Sequence, residues 1–197
     1  MKQLITFFAV LAMSLSAAMA QQDTGKPQVT IHTSLGDIRV ELYPEKSPVT
    51  VANFLQYAND GYYEGTVFHR VISHFMIQGG GLVLVEDESG VNLRPKPTRD
   101  PIINESNNGL KNERGTIAMA RTNDVNSATS QFYINVEVNG SLDFTSDVNP
   151  EDSRAWGYAV FGRVIGGMEV VDDIRFVETG SNDVPVEPVI IESVEVH

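Results

Sequence analysis

The pattern of this chain predicts an antiparallel β-sandwich or barrel. Many short stretches alternate apolar and polar residues, only two stretches carry helical spacing, and strands and helices do not alternate as in a parallel sheet. Residues 29–33 and 38–42 flank Ser34-Leu35-Gly36-Asp37 and form a hairpin signature. Ser47 and Pro48 read as a side-chain cap and first helical residue, and Val51, Phe54, Leu55 and Ala58 recur at helical spacing before Gly61. A helix over Pro48–Asn59 follows. Strand-like runs come next at 67–72, 117–120, 131–136 and 159–164, then a short helix at 167–174 and a last strand at Val189–Val196. Residues 86–112, rich in Pro, Asn, Gly and charge, read as a long surface loop stiffened by Pro95, Pro97 and Pro101. The acidic stretch 143–152 reads as a second exposed loop.

The 197 residues, 42% hydrophobic and 20% charged, suit one soluble domain. Lys2, an apolar run over 4–15 and Ala18-Met19-Ala20 predict a signal peptide at 1–20, too short in its apolar part to span a membrane. A flexible lead-in at 21–28 and a single domain at 29–197 would remain. The absence of cysteine excludes cysteine proteases, thiol oxidoreductases and cysteine-zinc sites. The net charge of −12, or −13 without Lys2, argues against nucleic acid and anionic membrane partners. His32, His69, His74 and His197 stand in no metal-ligand spacing, no G-x-S-x-G elbow occurs, and His69 reads as a satisfied histidine on a packed strand. Gly79-Gly80-Gly81 leads into apolar residues and then Glu86-Asp87-Glu88, unlike a phosphate loop.

Residues 65–81 say most about function. Arg70 lies among β-branched and apolar residues, where a guanidinium is costly to bury unless a carboxylate or ligand meets it. The three glycines allow a sharp turn or a close approach of another chain segment. An apolar pocket with a fixed cation at its rim is implied, suited to an uncharged substrate whose amide is held by hydrogen bonds. In Gln131-Phe132-Tyr133-Ile134, alternation points Gln131 and Tyr133 one way and Phe132 and Ile134 the other; one face must be core, and the other would offer an amide and an aromatic ring, although taken alone the segment reads as plain core. Met119 and Ala120 add a small apolar edge whose backbone could pair with an extended peptide.

Five blocks occur in order: Phe68-His69-Arg70 with Phe75-Met76-Ile77-Gln78-Gly79-Gly80, Gly115-Thr116-Ile117-Ala118-Met119-Ala120, Ser130-Gln131-Phe132-Tyr133-Ile134, and Val160-Phe161-Gly162-Arg163-Val164. Together they resemble the signature blocks of the cyclophilin family of peptidyl-prolyl isomerases over residues 29–196. Asn107-Asn108-Gly109-Leu110-Lys111-Asn112 and Ala120-Arg121-Thr122, with the leader, look most like its bacterial periplasmic branch. The resemblance implies a mainly β fold, a closed eight-stranded antiparallel β-barrel capped by two α-helices, with the substrate groove on its outside. It makes Arg70 the catalytic arginine. Phe75, Met76, Tyr133 and Leu142 would form the proline pocket, and Gln78, Ala120, Arg121 and Gln131 would line the groove. Tyr158 stands where many members have a histidine.

No metal or cofactor is implied. The expected partners are proline-containing peptides and unfolded exported proteins, met by a periplasmic monomer. Tyr133 replaces the usual phenylalanine, so its hydroxyl needs water or a partner. Arg121 replaces an asparagine common in the eukaryotic branch, which alters the groove's charge. Ser141 falls where cyclosporin-sensitive members carry tryptophan, so weak cyclosporin binding is expected; Trp156, the only tryptophan, lies in a later loop. The competing expectations are a non-catalytic peptide-binding chaperone using the same groove, or an export-stage scaffold acting through 86–112. Holding alone would not demand Arg70.

Overall fold

A computed structural model of the chain describes residues 25–88, 90–146 and 153–197. The expected signal peptide, the start of the lead-in and most of the acidic stretch 143–152 lie outside the described residues. The chain runs β1 (Gln28–Thr33), β2 (Gly36–Leu42), α1 (Pro48–Asn59), β3 (Thr66–Phe68), β4 (Arg70–Ile72), β5 (Met76–Gly79), β6 (Leu82–Asp87), β7 (Gly90–Pro95), β8 (Thr116–Met119), β9 (Phe132–Asn135), α2 (Ser153–Trp156), β10 (Val160–Gly166), α3 (Met168–Arg175) and β11 (Val189–Val196). Single 3-10 turns lie at Ser106–Asn108, Gly140–Leu142 and Ser181–Asp183.

The strands form one antiparallel sheet of eleven, in the order β4-β5-β9-β8-β10-β2-β1-β11-β3-β6-β7. This corrects the expected closed eight-stranded ladder. Two local causes raise the count among the described residues. One extended run is divided at His69 into β3 and β4, which sit far apart in the strand order, and the hairpin β6–β7 extends the sheet beyond β3. No strand-to-strand ladder joins β4 to β3; the covalent chain through His69 does, and its N–H donates to the Gln78 carbonyl (3.0 Å). Of the three α-helices among the described residues, α1 and α3 span two turns or more, whereas α2 is a single turn.

The hairpin also corrects the long loop expected at 86–112. Leu84 pairs with Leu93 and Val85 with Asn92, while Arg94 reaches Asp87 (2.6 Å) across the ribbon. β6 opens on the apolar run Leu82-Val83-Leu84-Val85, and it is the polar end Glu86-Asp87 and the mixed β7, with Asn92, Arg94 and Pro95, that hide the hairpin from composition. The segment after it is stapled down: the Arg99 N–H donates to the Tyr57 hydroxyl (2.8 Å), and Asn108 Nδ2 donates to the Val160 carbonyl (2.9 Å).

Helix α1 has the bounds its spacing predicts, but its cap differs. Ser47 makes no capping bond and instead donates to the Val160 carbonyl (2.9 Å). Glu105 takes over from the stapled loop, its two carboxylate oxygens accepting from the N–H groups of Val49 (3.1 Å) and Thr50 (2.8 Å). A carboxylate at a helix N-terminus satisfies orphan donors and suits the helix dipole.

Four adjacent strands, β5, β9, β8 and β10, divide the apolar residues between two clusters. Ile77, Phe132, Ile134, Ile117 and Phe161 face the main core with Ile31, Ile38, Leu42, Phe54 and Ile191. Met76, Tyr133, Ala118 and Val160 face the other way and form a second, smaller cluster. That split is the period of two of a pleated strand. It leaves an apolar floor on the outside of the sheet.

Candidate functional site

The floor carries a ladder row. Arg70 pairs with Gln78, Gln78 with Tyr133, Tyr133 with Ala118, and Ala118 with Val160, across β4, β5, β9, β8 and β10. Residues so aligned share one face, so a cation, an amide, an aromatic ring and two small apolar residues stand in line. Above the row lies a cavity of about 120 Å³ lined by Arg70, Phe75, Met76, Gln78, Ala120, Arg121, Tyr133, Leu142 and Tyr158. A second cavity of about 160 Å³ adjoins it through Gln78, Ala120 and Arg121, and adds Thr122, Ser127, Thr129 and Gln131. All ten residues expected from the sequence therefore meet at this double cavity. Thr122, Ser127 and Thr129 were not expected there, and nothing in their spacing marks them.

Gln78 Nε2 donates to Gln131 Oε1 (3.0 Å), tying the two cavities together. The glycines nearby make room for that pair. A Cβ on Gly81 would stand 2.3 Å from Gln131 Cγ, and one on Gly80, at φ 80°, would stand 2.7 Å from the Phe132 ring. Close approach of another segment is thus the use of the glycine run.

Arg70 is not buried as its apolar neighbours in sequence suggest, but a carboxylate lies near it. Its Nε lies 3.5 Å from Asp183 Oδ2, with the two side chains 43% and 46% exposed. Arg121 is held on the opposite rim, its Nε donating to the Gly157 carbonyl (2.9 Å) and its guanidinium 4.6 Å from the Tyr158 ring centre. The Tyr133 and Tyr158 rings meet edge to face at 5.8 Å.

The Tyr133 hydroxyl finds its partner inside the protein rather than in water: it donates to Asn112 Oδ1 (2.8 Å). Burial, and then the neighbouring Tyr158, push its pKa well above the ordinary phenol value, so it stays a donor. Asn112, 2% exposed, is the knot of the pocket wall. It donates through Nδ2 to the Leu142 carbonyl (3.0 Å) and through its backbone to Asp143 Oδ1 (2.7 Å), and it accepts from Asn135 Nδ2 (3.2 Å). Asn139, bonded to Asn135 Oδ1 (2.7 Å) and the Phe75 carbonyl (2.7 Å), extends the knot to the next wall. The sequence offers no cue to this role, since the partners come together only in the fold. Asn112→Leu is expected to leave buried polar groups unpaired and lower Tm by about 4 to 8 °C in thermal unfolding. An unchanged Tm would remove Asn112 from that position.

His69 departs from expectation. Its buried Nδ1 has no hydrogen-bond partner, and burial foremost lowers its pKa below that of a free imidazole, with the Arg70 charge adding to it and interactions with the Val67 backbone and the Gln131 side chain opposing it. Trp156 packs against Phe144 (5.7 Å) and does not line the cavity. Among the described residues no group of three His, Cys, Asp or Glu is placed to hold a metal ion.

Comparison with known proteins bears on this geometry. A family model described as cyclophilin type peptidyl-prolyl cis-trans isomerase/CLD matches residues 28–196. Peptidyl-prolyl cis-trans isomerase B of Escherichia coli (strain K12) is 52% identical over 172 residues, 85% of this chain and 98% of that protein. Peptidyl-prolyl cis-trans isomerase A of Dickeya dadantii (strain 3937) is 43% identical over 201 residues, 100% of this chain and 98% of the other. Among solved structures, a Cryptosporidium parvum cyclophilin type peptidyl-prolyl cis-trans isomerase, crystallised in the presence of the dipeptide Ala-Pro, aligns with TM-score 0.68 at 27% identity. The alignment covers 86% of this chain and 98% of that one.

Proposed function

This chain belongs to the cyclophilin-type peptidyl-prolyl cis-trans isomerases, and we propose that it rotates X-Pro bonds at the double cavity, with Arg70 as the catalytic residue. The observation that carries this reading is the ladder row, which sets Arg70 and Gln78 beside an apolar floor. The proline ring enters the pocket of Phe75, Met76, Tyr133 and Leu142, with Tyr158 at its edge. Gln78, Ala120, Arg121 and Gln131 hold the peptide backbone on either side.

A prolyl amide resists rotation by about 18 to 20 kcal/mol because the nitrogen lone pair is conjugated with the carbonyl. Uncatalysed exchange takes tens to hundreds of seconds, so reaching milliseconds requires a barrier lower by about 7 kcal/mol. No bond breaks, and no nucleophile is needed. In the twisted state the nitrogen turns pyramidal and regains a localised lone pair, which a positioned cationic donor stabilises more than it stabilises the planar amide. Arg70 supplies that donor, worth about 1.5 to 3 kcal/mol. The remainder comes from the apolar pocket, where the less polar twisted amide is better tolerated, and from backbone contacts that clamp one side while the carbonyl swings.

The leader-like residues 1–20 support a role in the folding of exported proteins in the periplasm, with unfolded chains and proline-containing peptides as partners. The protein acts there as a monomer. A purely holding chaperone would use the same groove without needing Arg70. Proline-peptide turnover in a protease-coupled assay, measured beside suppression of aggregation for wild type and an Arg70 variant, separates the two. Loss of turnover with aggregation suppression retained supports catalysis at Arg70; equal turnover refutes it.

Ser141 is exposed in the turn next to Leu142 and itself contributes no aromatic ring to the pocket. Cyclosporin binding is therefore weak, and Ser141→Trp is expected to raise it about tenfold, the gain of one aromatic contact surface. Unchanged affinity in calorimetry would refute that placement of Ser141.

A further inference from the structure

The carboxylate facing Arg70 comes from the far end of the chain. Asp183 lies in the loop between α3 and β11, within the turn Ser181–Asp183, and this turn packs against β4. The loop is tightly closed: Gly180 N–H donates to the Val184 carbonyl (2.8 Å), Val186 N–H to the Glu178 carbonyl (2.9 Å), and Thr179 bridges to Pro185. Within it Asn182 and Asp183 both adopt φ 61°, and they are the only non-glycine residues with positive φ among the described residues. Glycine would sit there without strain. The fold thus keeps two side-chain-bearing residues, of the types that tolerate positive φ best after glycine, where one of them meets the arginine.

Stability does not account for this, because an ion pair between two half-exposed side chains contributes little. Orientation does. A long, half-exposed arginine spreads over many rotamers when it has no anchor. The approach to Asp183 is through Nε, and Arg70 also lines the cavity.

We propose that Asp183 is a positioning residue for the isomerase reaction, anchoring the Arg70 guanidinium at Nε so that its Nη edge is presented to the twisting amide. The assignment rests on the catalytic reading of Arg70. It predicts a loss in the chemical step and not in substrate binding.

The test uses the whole protein and an uncharged proline peptide, with kinetics and thermal melts on each variant. Asp183→Asn keeps the shape and tolerates positive φ but deletes the charge; it is expected to lower kcat about three- to fivefold with KM unchanged. Asp183→Gly is expected to lower kcat equally while Tm holds or rises by about 2 °C, as backbone strain is relieved. Asp183→Glu, which restores the charge, recovers part of the rate. In an Arg70→Lys background, Asp183→Asn adds no further loss. A wild-type kcat in Asp183→Asn, a change confined to KM, or the same fold loss in both backgrounds overturns the assignment while leaving Arg70 in place. Full activity in Arg70→Lys alone overturns instead the reading on which it rests.

Discussion

Replacing Arg70 by lysine lowers kcat/KM for a proline peptide about 10- to 100-fold, the equivalent of one charge-assisted hydrogen bond made chiefly in the transition state. The charge survives this substitution, so the expected loss tests geometry. Lysine presents a compact ammonium on a flexible stem, whereas the guanidinium is a rigid planar fork that can be held at one nitrogen and donate from the others. Lysine also has no Nε to meet Asp183. The residual rate remains well above that in water, because the pocket and the backbone clamp still contribute. A protease-coupled assay reads the effect directly; turnover within twofold of wild type would remove the arginine from the reaction. Tm should hardly move, since the side chain is 43% exposed and its one ion pair lies at the surface.

Phe132→Ala gives the opposite profile. Phe132 is fully buried, with the rings of Phe54, Tyr63 and Phe68 at 5.7, 5.6 and 6.1 Å, and it closes the space over Gly80. Truncation removes the ring and leaves a cavity among side chains that have little freedom to collapse, at a cost of about 3 to 5 kcal/mol. Thermal unfolding should show Tm lower by roughly 10 to 15 °C for a chain of this size. Its neighbours Gln131 and Tyr133 point to the other face of β9, so the protein that remains folded at low temperature should still turn over substrate. A fall of only a degree or two would mean that the site repacks.

What was legible in the sequence follows from this division. Alternation over 131–134 separates core from groove correctly, because a strand with both faces covered by known chemistry has one way to lie. The expectation of a partner for Arg70 assumed burial, yet its side chain is 43% exposed; a carboxylate does lie near it, but nothing local connects 183 with 70. Helix α1 was read from spacing to the residue, yet its cap was assigned to Ser47 when Glu105 supplies it through a tertiary contact. The hairpin β6–β7 is masked by the acidic end of β6 and the polar residues of β7, which follow an apolar run at 82–85. His69 was expected to be satisfied, but the run it belongs to divides there, leaving Nδ1 buried and unpaired. The Asn112 knot has no local signature at all. Single-segment chemistry was therefore readable, and long-range polar pairing was not.

The ladder row also acts as a ruler. Neighbouring strands in a sheet lie about 4.8 Å apart, so two steps from Arg70 through Gln78 to Tyr133 set the backbone positions of the arginine and the tyrosine roughly 10 Å apart, near the length of three extended residues. That interval is written in backbone hydrogen bonds, not in the packing of mobile side chains. A slip of one residue between β4 and β5 would turn Arg70 to the wrong face and abolish the measure altogether. The spacing of these backbone positions is thus as durable as the sheet, and heating should extinguish turnover in the same transition that unzips the strands, not ahead of it.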